Sequence, residues 1–560
     1  MAEPTALAPT HTVDIEMLPM SSSKPPKSVT PSIDNSIAPP SPRSRLRTLL
    51  VLTALFLTLF ISALNTTIVA TALPTICSRL NSASGYAWIG GAYLLANGAS
   101  APIWAKLSDI WGRKPILLMA VGMYFATSIL CAMSTNMKML VAGRALQGTA
   151  GGGLILLVNI ILSDMFSLRH RSLYFGLLEL MWVIAAGIGP VLGGVFAQLL
   201  SWRWIFWIDL PVSGTSFLLL LIFLDVHNPR TRFSDGAKAI DWAGSLSILG
   251  LVIMLLLGLN FGGVTLPWDS PTVICLIVFG SLLSVVFAFS ELKLAQHPLM
   301  PLRLFAKRTN VACLLVTFSQ SFAVLANEYY LPLFFQSVKG ASPVHSGVLL
   351  LPITVMAAVG ALAAGIIIYK TGRYLELIWT GMALFTIGEG LLIKLNVDSS
   401  LPTIIIFQVI AGFGAGLLFQ PPLIALQAVT SQKDIATATG TFSFIRSLST
   451  SLAAVIGGVI FQNGMDIQGP RLRAAGLSSQ SLKDLSGGSA AANVGSVLSM
   501  LSDPMQRLVV KEAFAWSLRN IWILCTCLIF CGLLFSLFIE KTALSEEHVE
   551  TKTGLSKDNH

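Results

Sequence analysis

The sequence predicts an all-α membrane protein with fourteen transmembrane helices, arranged as two six-helix bundles joined by two inserted helices. Of the 560 residues, 54% are hydrophobic and only 11% are charged, which leaves too little polar surface to cover soluble domains. The apolar residues form runs of roughly 20, the length at which a helix crosses about 30 Å of hydrocarbon. Features that recur at nearly fixed offsets divide these runs into two related halves.

Fourteen apolar runs are long enough to cross a membrane as helices. In chain order they cover residues 48–70, 86–106, 115–134, 139–163, 173–198, 204–224, 242–260, 271–290, 310–334, 346–369, 375–395, 402–424, 435–462 and 516–539. The segment before the first run is rich in Pro, Ser and Thr and contains no apolar stretch with a cleavage site. It is therefore predicted to be a disordered tail and not a signal peptide.

An internal repeat relates the first six spans to the last six. Gly112-Arg113 follows the second span and Gly372-Arg373 follows the tenth, so the offset is 372 − 112 = 260. Arg144 of the fourth span and Gln408 of the twelfth each precede a glycine by four residues, with an offset of 408 − 144 = 264. Spans 7 and 8 are then an insertion. Transporters built from duplicated bundles bind substrate between the halves and rock one half against the other.

The distribution of Lys and Arg predicts that both termini are cytoplasmic. In that orientation the short inner loops carry fifteen Lys and Arg residues and the short outer loops carry five. The net charge of +9 therefore sets orientation, and no nucleic-acid partner is predicted. The predicted segments are a cytoplasmic tail 1–47, a bundle 48–224, inserted helices with their loops 225–309, a bundle 310–539 containing a long outer loop 463–515, and a cytoplasmic tail 540–560.

The first inner loop, residues 106–114, resembles the loop 2–3 signature of the major facilitator superfamily, in particular of its fourteen-helix drug:proton antiporters of fungal type. The resemblance extends over about residues 48–540 and implies the major facilitator fold. Gly112 permits a tight turn, and Asp109 is expected to pair with Arg113 or to cap a neighbouring helix when the inner side is closed. With Gly372-Arg373, these residues are expected to form a conformational latch. Anchoring by positive charge alone would not explain the Asp-x-x-Gly-Arg spacing.

Span 4 contains Gly143-Arg144-Ala145-Leu146-Gln147-Gly148, which is similar to the family's helix 4 motif. A guanidinium at helix depth costs at least about 2.5–3.5 kcal/mol, so Arg144 needs a partner or a water-filled cavity. Arg144 is therefore the leading candidate for a transport residue. The alternative is an arginine that reaches back to the interface. Gln147 and Gln408 are expected to line the substrate cavity.

Span 5 contains Gly187-Ile188-Gly189-Pro190-Val191-Leu192-Gly193-Gly194, which is similar to the motif associated with exporters of this superfamily. Glycines let neighbouring helices approach, and a proline removes a backbone donor and kinks its helix. Gly189, Pro190, Gly193 and Gly194 are therefore expected to form a pliable element against the facing bundle. The motif favours export over uptake.

Span 1 departs from the family at one position. Residues 64–69 resemble the family's Leu-Asp-x-Thr-Ile-Val pattern, but Asn65 stands where the family has an acid. An asparagine cannot carry a proton, so the coupling role that the resemblance implies does not carry over to Asn65. It is expected to contact substrate through hydrogen bonds instead.

If protons drive transport, another acid inside the membrane must carry them, and Glu179, Glu328 and Glu389 are the candidates. Glu179 is expected within roughly 10 Å of Arg144 in depth, so the two are predicted to pair across adjacent helices. Proton and substrate would then compete for one state of the cavity. Arg446 in span 13 is a second buried cation. For each of these residues a structural polar pair is the alternative.

The leading functional interpretation is a proton-coupled exporter of a small amphipathic organic compound, such as a fungal secondary metabolite, a toxin or a drug. A vacuolar amino-acid or other nutrient transporter and a non-transporting sensor on the same fold are the alternatives. No nucleophile–base pair or phosphate-binding motif indicates an enzyme, and no cofactor is predicted, with the proton gradient as energy source. The protein is expected to be a multi-pass monomer in the cell membrane, or in the vacuolar membrane, with substrate, protons and the bilayer as its partners.

Overall fold

The computed structural model describes residues 45–80, 85–227, 229, 231–262, 266–295, 298–485, 501 and 503–544. A few side chains within these ranges, including that of Pro190, lie outside the description. The chain divides into two units, Met1–Arg45 and Leu46–His560, and the features below belong to the second. Most of the two predicted tails lies outside the described residues.

Fourteen long helices account for most of the described chain. They are α1 Arg45–Arg79, α2 Gly85–Trp111, α3 Arg113–Ala132, α4 Met137–Met165, α5 Leu168–Leu199, α6 Asp209–Phe223, α7 Trp242–Phe261, α8 Pro271–Phe289, α9 Arg308–Ser337, α10 Pro343–Thr371, α11 Leu375–Leu392, α12 Leu401–Gly416, α13 Ile435–Ala474 and α14 Pro504–Ser536. A short helix, Trp204–Trp207, leads into α6, and α12 resumes after a break as Pro421–Val429.

Each predicted span falls on one of these helices, which confirms the all-α membrane fold. Among the described residues, thirteen helices are long and apolar enough to cross a membrane. The remaining span corresponds to α2, whose 27 residues would extend about 40 Å at 1.5 Å per residue. It is less apolar because it packs between α4 and α13 rather than against lipid.

The two halves pack their second and fourth helices in the same way. A side chain at Gly148 of α4 would meet the backbone of Tyr93 in α2, and one at Gly412 of α12 would meet the backbone of Ile353 in α10. The offsets, 412 − 148 = 264 and 353 − 93 = 260, are those of the internal repeat. Since small residues let helix backbones touch inside membranes, the repeat in sequence is also a repeat in packing.

We expect Gly148→Ala to destabilise the fold by about 1–3 kcal/mol, the usual cost of overpacking. The added methyl group would lie within 3.0 Å of the Tyr93 carbonyl oxygen. Gly91→Ala on α2 is the matched control, because nothing lies within 4 Å of a Cβ built there. The thermal unfolding midpoint, followed by size-exclusion chromatography in detergent, should fall for Gly148→Ala only. Equal midpoints would contradict the backbone contact between α2 and α4.

Two equivalent interfaces join the bundles. At the first, α5 packs on α10, where Gly176 lies against Leu362 and Gly365. At the second, α2 packs on α13, where Gly440 lies against Ala105. The offsets, 440 − 176 = 264 and 365 − 105 = 260, relate the two interfaces by the same repeat. The bundles therefore meet around a pseudo-two-fold axis, the arrangement predicted for a duplicated transporter.

The inserted helices α7 and α8 lie beside the interface between α2 and α13. Val252 and Leu256 of α7 form one hydrophobic cluster with Ala99 of α2 and Phe444 of α13. Helix α8 packs on α7 and exposes several large apolar side chains on its other face, which suits contact with lipid. The inserted pair therefore supports this interface from the lipid side.

The segment predicted as the outer loop 463–515 contains extensions of both neighbouring helices. Helix α13 continues to Ala474 and α14 begins at Pro504. Beyond the hydrocarbon the two extensions are polar, and Arg471 of α13 forms an ion pair with Glu512 of α14. Hydropathy marks where the lipid ends and not where a helix ends, so the pattern does not show that one helix continues past residue 462 and that the other begins before residue 516.

Candidate functional site

A buried polar cluster lies inside the first bundle, about two turns from the start of α4. Arg144 is 1% exposed. Its Nη1 donates hydrogen bonds to Gln147 Oε1 at 2.8 Å and to Asn65 Oδ1, and its Nε donates to the Ile89 carbonyl oxygen at 3.1 Å. The guanidinium also lies over the Tyr93 ring, 4.3 Å from its centroid. Arg144 therefore has protein partners and does not reach back to the interface.

Asp209, at the start of α6, completes this cluster. Its Oδ2 accepts hydrogen bonds from Asn65 Nδ2 at 2.7 Å, from Ser128 Oγ at 3.1 Å and from Gln147 Nε2 at 3.1 Å. Its Oδ1 is buried and has no hydrogen-bond partner among the residues that the structure describes. The side chain is 1% exposed. Asn65, Ser128, Arg144, Gln147 and Asp209 are named the Arg144–Asp209 cluster below.

Two amides bridge the opposite charges of this cluster. Arg144 donates to the amide oxygens of Asn65 and Gln147, and the amide nitrogens of the same residues donate to Asp209. Hydrogen bonds to charged groups are stronger than neutral ones, and chains of them polarise one another. An unpaired buried charge costs several kcal/mol, so Arg144 and Asp209 depend on one another although the amides separate them.

Asp209 was not among the acids singled out from the sequence. It lies inside the predicted span 204–224, five residues after its start, where an ionisable side chain is a functional candidate by position alone. That signal was available for Asp209 as it was for Glu179, Glu328 and Glu389. Asn65 and Gln147, expected in the substrate cavity, are instead hydrogen-bonded within the first bundle. Contact with substrate would require these bonds to break.

A second polar cluster lies where the two bundles face each other. Gln420 Nε2 donates a hydrogen bond to Glu179 Oε1 of α5 at 2.7 Å. Arg446 of α13 donates from Nη2 to the Phe419 carbonyl oxygen at 3.0 Å, and its charge attracts Glu179. Glu179, Phe419, Gln420 and Arg446 are named the interbundle cluster. It brings a carboxylate from the first bundle together with a guanidinium and an amide from the second.

The predicted pair of Arg144 and Glu179 is wrong. The partners of Arg144 come from α1, α2 and α4 of its own bundle, whereas the hydrogen bond of Glu179 comes from Gln420 of the second bundle. Depth also separates the two side chains: Arg144 lies 21 residues from the inner end of α4 and Glu179 lies 11 residues from the inner end of α5, a difference of about 15 Å. The helix face decides their partners, and Glu179 lies on the face of α5 that meets the second bundle.

The interbundle cluster depends on a break in α12. The helix stops at Gly416 and resumes at Pro421, although the hydropathy pattern predicts one continuous span. Pro421 and Pro422 lack a backbone N–H, so neither can donate the hydrogen bond that would continue the helix from the preceding turn. The break frees the Phe419 carbonyl oxygen for Arg446 and places Gln420 beside α5. Broken helices at membrane depth occur where the backbone is enclosed by protein or lines a cavity.

Asp109 and Arg113 lie together on the inner side, meaning the side predicted to be cytoplasmic. Arg113 is 2% exposed, and its guanidinium is paired with Asp109 at 2.6 Å and with Asp164 at 2.8 Å. The second carboxylate oxygen of Asp109 accepts a hydrogen bond from Thr437 Oγ1 of the other bundle at 3.3 Å. Gly112 makes the turn between α2 and α3 with a φ of 94°. These contacts are those expected of the latch, whose action stays a prediction.

Six hydrogen bonds between described residues join the bundles, and all six lie in the inner half of the helices. They link Asp109 with Thr437, Ser163 with Gln427, Arg169 with the carbonyl oxygens of Tyr369 and Lys370, Ser172 with the Gly365 carbonyl oxygen, and Glu179 with Gln420. In the outer half of α5, Val191 and Leu199 are 65% and 77% exposed. The bundles are therefore closed against each other on the inner side.

The other predicted polar residues of the second bundle have contrasting surroundings. Glu328 is exposed on α9. Glu389 of α11 is fully buried and accepts a hydrogen bond from Asn327 Nδ2, while its Oε2 has no partner among the described residues. Gln408 is fully buried, and within the same residues neither polar atom of its amide has a partner. These three residues do not form one cluster by hydrogen bonds in the described structure.

In the span 5 motif, Gly189 packs against a helix of its own bundle. A side chain at Gly189 would meet Thr67 of α1 within 3.0 Å, and Gly193 is buried, whereas nothing lies within 4 Å of a Cβ built at Gly194. The expectation that this motif packs against the facing bundle was wrong, because the bundles are apart at this depth. The side chain of Pro190 lies outside the described residues.

The repeat-related pair Gly372 and Arg373 differs from its counterpart in the first half. Gly372 ends α10 in the left-handed conformation, with a φ of 68°, so the glycine has the same conformational use as Gly112. Arg373 is exposed, unlike Arg113. The ion pairs of Arg113 with Asp109 and Asp164, called the Arg113 triad below, therefore belong to the first half.

Comparison with known proteins gives a consistent result. The model of the family described as Major Facilitator Superfamily matches residues 55–454. The efflux pump dotC of Dothistroma septosporum is 45% identical over 506 residues, which cover 90% of this chain and 86% of the relative. The MFS-type transporter ppz2 of Metarhizium majus is 43% identical over 518 residues, covering 92% and 89%. The crystal structure of the human organic anion transporter MFSD10 (TETRAN) superimposes with a TM-score of 0.55 at 16% identity, covering 88% of this chain and 100% of that chain.

Proposed function

This chain belongs to the major facilitator superfamily, and we propose that it is an efflux transporter that exchanges small amphipathic organic compounds for protons. Export is supported by its similarity to an efflux pump and by the span 5 motif. We place it in the plasma membrane as a monomer. The Lys and Arg distribution supports cytoplasmic positions for both termini. The proton gradient would supply the energy without a cofactor.

The observation that carries this proposal is the one-sided closure of the bundles. Two repeat-related interfaces hold the bundles together, while the six hydrogen bonds between them lie in the inner half. Rocking of one bundle against the other would break these bonds and open the inner side while closing the outer side. This is the alternating access expected of a duplicated bundle.

The interbundle cluster is the proposed binding site for the exported compound. The guanidinium carbon of Arg446 lies 5.4 Å from the Phe419 ring centroid and 5.7 Å from that of Phe442. Glu179 and Gln420 add a carboxylate and an amide from the two sides. Aromatic faces with a few placed polar groups suit an amphipathic organic molecule.

A water-filled space beside α9 is supported by Glu328. Its side chain is exposed although it lies nine residues before the end of α9 at Ser337, which is about 14 Å along the helix. A carboxylate that faced hydrocarbon at that depth would cost about 2.5–3.5 kcal/mol. Water between the bundles on the outer side would remove that cost and give protons and substrate access.

Glu179 is proposed to help hold the inner side closed through its charge. We expect Glu179→Gln, which removes that charge, to weaken the attraction to Arg446 and to favour the inward-open state. The measurement is the alkylation rate of Ser172→Cys, a position buried at the inner contact between bundles, with the exposed native cysteines replaced by serine. The rate should rise in the Glu179→Gln background.

The control for this prediction is Glu376→Gln. Glu376 makes an ion pair with Lys541 at 3.0 Å, away from the bundle contact, and the same chemical change there should leave the alkylation rate of Ser172→Cys unchanged. If both variants give the wild-type rate, Glu179 does not hold the inner side closed.

The proposed function is tested in a yeast strain that lacks its own drug exporters. Expression should lower the accumulation of amphipathic dyes such as rhodamine 6G, and a protonophore should remove the effect. A tagged protein should lie at the plasma membrane. Uptake of amino acids into isolated vacuoles would instead support the nutrient transporter. Signalling without any flux across a panel of dyes, toxins and nutrients would support the sensor and overturn the proposal.

A further inference from the structure

We propose that Asp209 is the proton-binding residue of this transporter, and that it supplies from α6 the carboxylate that α1 lacks at Asn65. The inference deepens the proposed proton exchange and rests on it for its role in transport. The site itself stands on the geometry of the Arg144–Asp209 cluster. None of the acids singled out from the sequence has the same set of partners.

Asn65, which stands where the family pattern has an acid, is hydrogen-bonded directly to Asp209. The span 1 segment resembles a family pattern with an acid where this chain has Asn65. Asn65 Nδ2 donates to Asp209 Oδ2 at 2.7 Å, and both side chains are at most 1% exposed. A carboxylate on α6 therefore occupies the cluster that an acid on α1 would have entered. The cluster around Arg144 therefore contains one carboxylate, as it would if position 65 were an acid.

The two carboxylate oxygens of Asp209 have different hydrogen-bonding surroundings. Oδ2 accepts three hydrogen bonds, which hold the carboxylate in place. Oδ1 is buried and has no partner in the described part of the chain, so the charged form leaves an acceptor unsatisfied. A proton that binds Oδ1 forms an O–H bond there, neutralises the side chain and leaves the three bonds to Oδ2 possible. Its release to water restores the carboxylate, and no other bond forms or breaks.

Arg144 is the cation that balances the charged state. The titratable groups with an electrostatic interaction with Asp209 are Arg144 on α4, Tyr93 on α2, and Tyr124 and Cys131 on α3. From α1 the facing group is the amide of Asn65, which has no charge. Protonation of Asp209 would therefore leave Arg144 as an uncompensated buried cation and favour rearrangement of its hydrogen bonds.

Helix α2 connects this rearrangement to the inner side. Arg144 Nε donates to the Ile89 carbonyl oxygen near one end of α2, and Asp109 near the other end contacts Arg113 and Thr437. The two positions are twenty residues apart on one helix, which is about 30 Å. A shift of α2 driven by Arg144 would move Asp109 relative to the second bundle. A packed helix with contacts at both ends is a physical connection between the two sites.

The inference is tested by moving the carboxylate back to α1. The variants are Asp209→Asn, the double variant Asn65→Asp with Asp209→Asn, and Asp269→Asn as a control with the same chemical change at an exposed position. Infrared difference spectra of the purified full chain in lipid, recorded across a pH titration, report the carboxylic acid carbonyl band without any substrate. Circular dichroism and size-exclusion chromatography check that each variant is folded.

We expect one titrating carboxyl band to be lost in Asp209→Asn, kept in Asp269→Asn and regained in the double variant. In proteoliposomes, rhodamine 6G uptake driven by a pH gradient should be lost in Asp209→Asn and regained in the double variant. An unchanged set of titrating bands in a folded Asp209→Asn would overturn the inference. Should Asp209→Asn fail to fold, the double variant decides: a titrating band from the carboxyl that Asn65→Asp introduces supports the relocation, and its absence overturns it.

These outcomes separate the inference from the proposed function. Wild-type liposomes that move no dye under a pH gradient would count against proton-coupled efflux, while a lost carboxyl band would still identify Asp209 as the proton site. Gradient-driven transport that persists at the wild-type rate in Asp209→Asn, with all bands unchanged, would leave efflux standing and exclude Asp209.

Discussion

Replacing Arg144 with methionine is expected to destabilise the protein by about 3–5 kcal/mol, the usual cost of removing one partner from a buried charge pair. The change removes the donor to the oxygens of Asn65 and Gln147 and leaves Asp209 without its balancing cation. Dye export should be lost. Stability is measured as the free energy of unfolding in mixed detergent micelles, and transport by rhodamine 6G efflux.

A double variant gives this prediction its control. Arg144→Met combined with Asp209→Asn removes both charges, so it should regain most of the lost stability but not the transport. Arg203→Met changes an arginine that donates a hydrogen bond to the Ser134 carbonyl oxygen near the outer interface, and it should cost about 1 kcal/mol. A cost for Arg144→Met no larger than that for Arg203→Met would contradict the interdependence of the two buried charges.

Replacing Arg113 with alanine is expected to open the inner side and to cost about 3–5 kcal/mol, because two carboxylates lose their shared cation. Asp164 is 9% exposed and accepts a hydrogen bond from the Arg113 guanidinium at 2.8 Å. Asp109 would lose the arginine that orients it towards Thr437. Transport should fall strongly, and alkylation of Ser172→Cys should become faster because the inner contact opens more often.

Arg373→Ala is the repeat-matched control, since 373 − 113 = 260. Arg373 occupies the equivalent position of the second half but is exposed, and substitutions of exposed residues usually change stability by less than about 0.5 kcal/mol. Its substitution should leave both transport and alkylation close to wild type. If both substitutions reduced transport similarly, the cause would be the loss of positive charge at the inner surface and not the loss of the Arg113 triad.

The helices and the repeat could be predicted because the bilayer restricts the possibilities. Backbone polar groups in lipid must be satisfied within the segment, so a long apolar run has to be a helix. The repeat could be read because glycines such as Gly148 and Gly412 are required where helix backbones touch. Helix α2 shows the limit of hydropathy, since it is enclosed by other helices and needs fewer apolar residues than a lipid-facing span.

The site could be predicted only in part. Arg144 is conspicuous because a charge in an apolar run needs an explanation, and the structure provides one in its buried partners. Its partner could not be chosen, because depth along a helix follows from residue number whereas rotation does not. Glu179 was therefore predicted to pair with Arg144 of its own bundle, whereas its hydrogen bond comes from Gln420 of the second bundle. Asp209 lies five residues inside its predicted span, so its charge was a usable signal that the prediction did not use, whereas the break before Pro421 was hidden inside a continuous apolar run.

Alternating movement of the two bundles is tested most directly by two distances measured in the same protein. Spin labels at His170 and Thr371 report the inner side, and labels at Leu199 and Val344 report the outer side; all four positions are exposed. Pulsed electron paramagnetic resonance in lipid nanodiscs gives the distance distribution of each pair as the pH is lowered. We expect the inner distance to lengthen while the outer distance shortens, because protonation releases the inner contacts. Distances that change in the same direction, or that stay fixed on both sides with protons and dye present, would contradict transport by this movement.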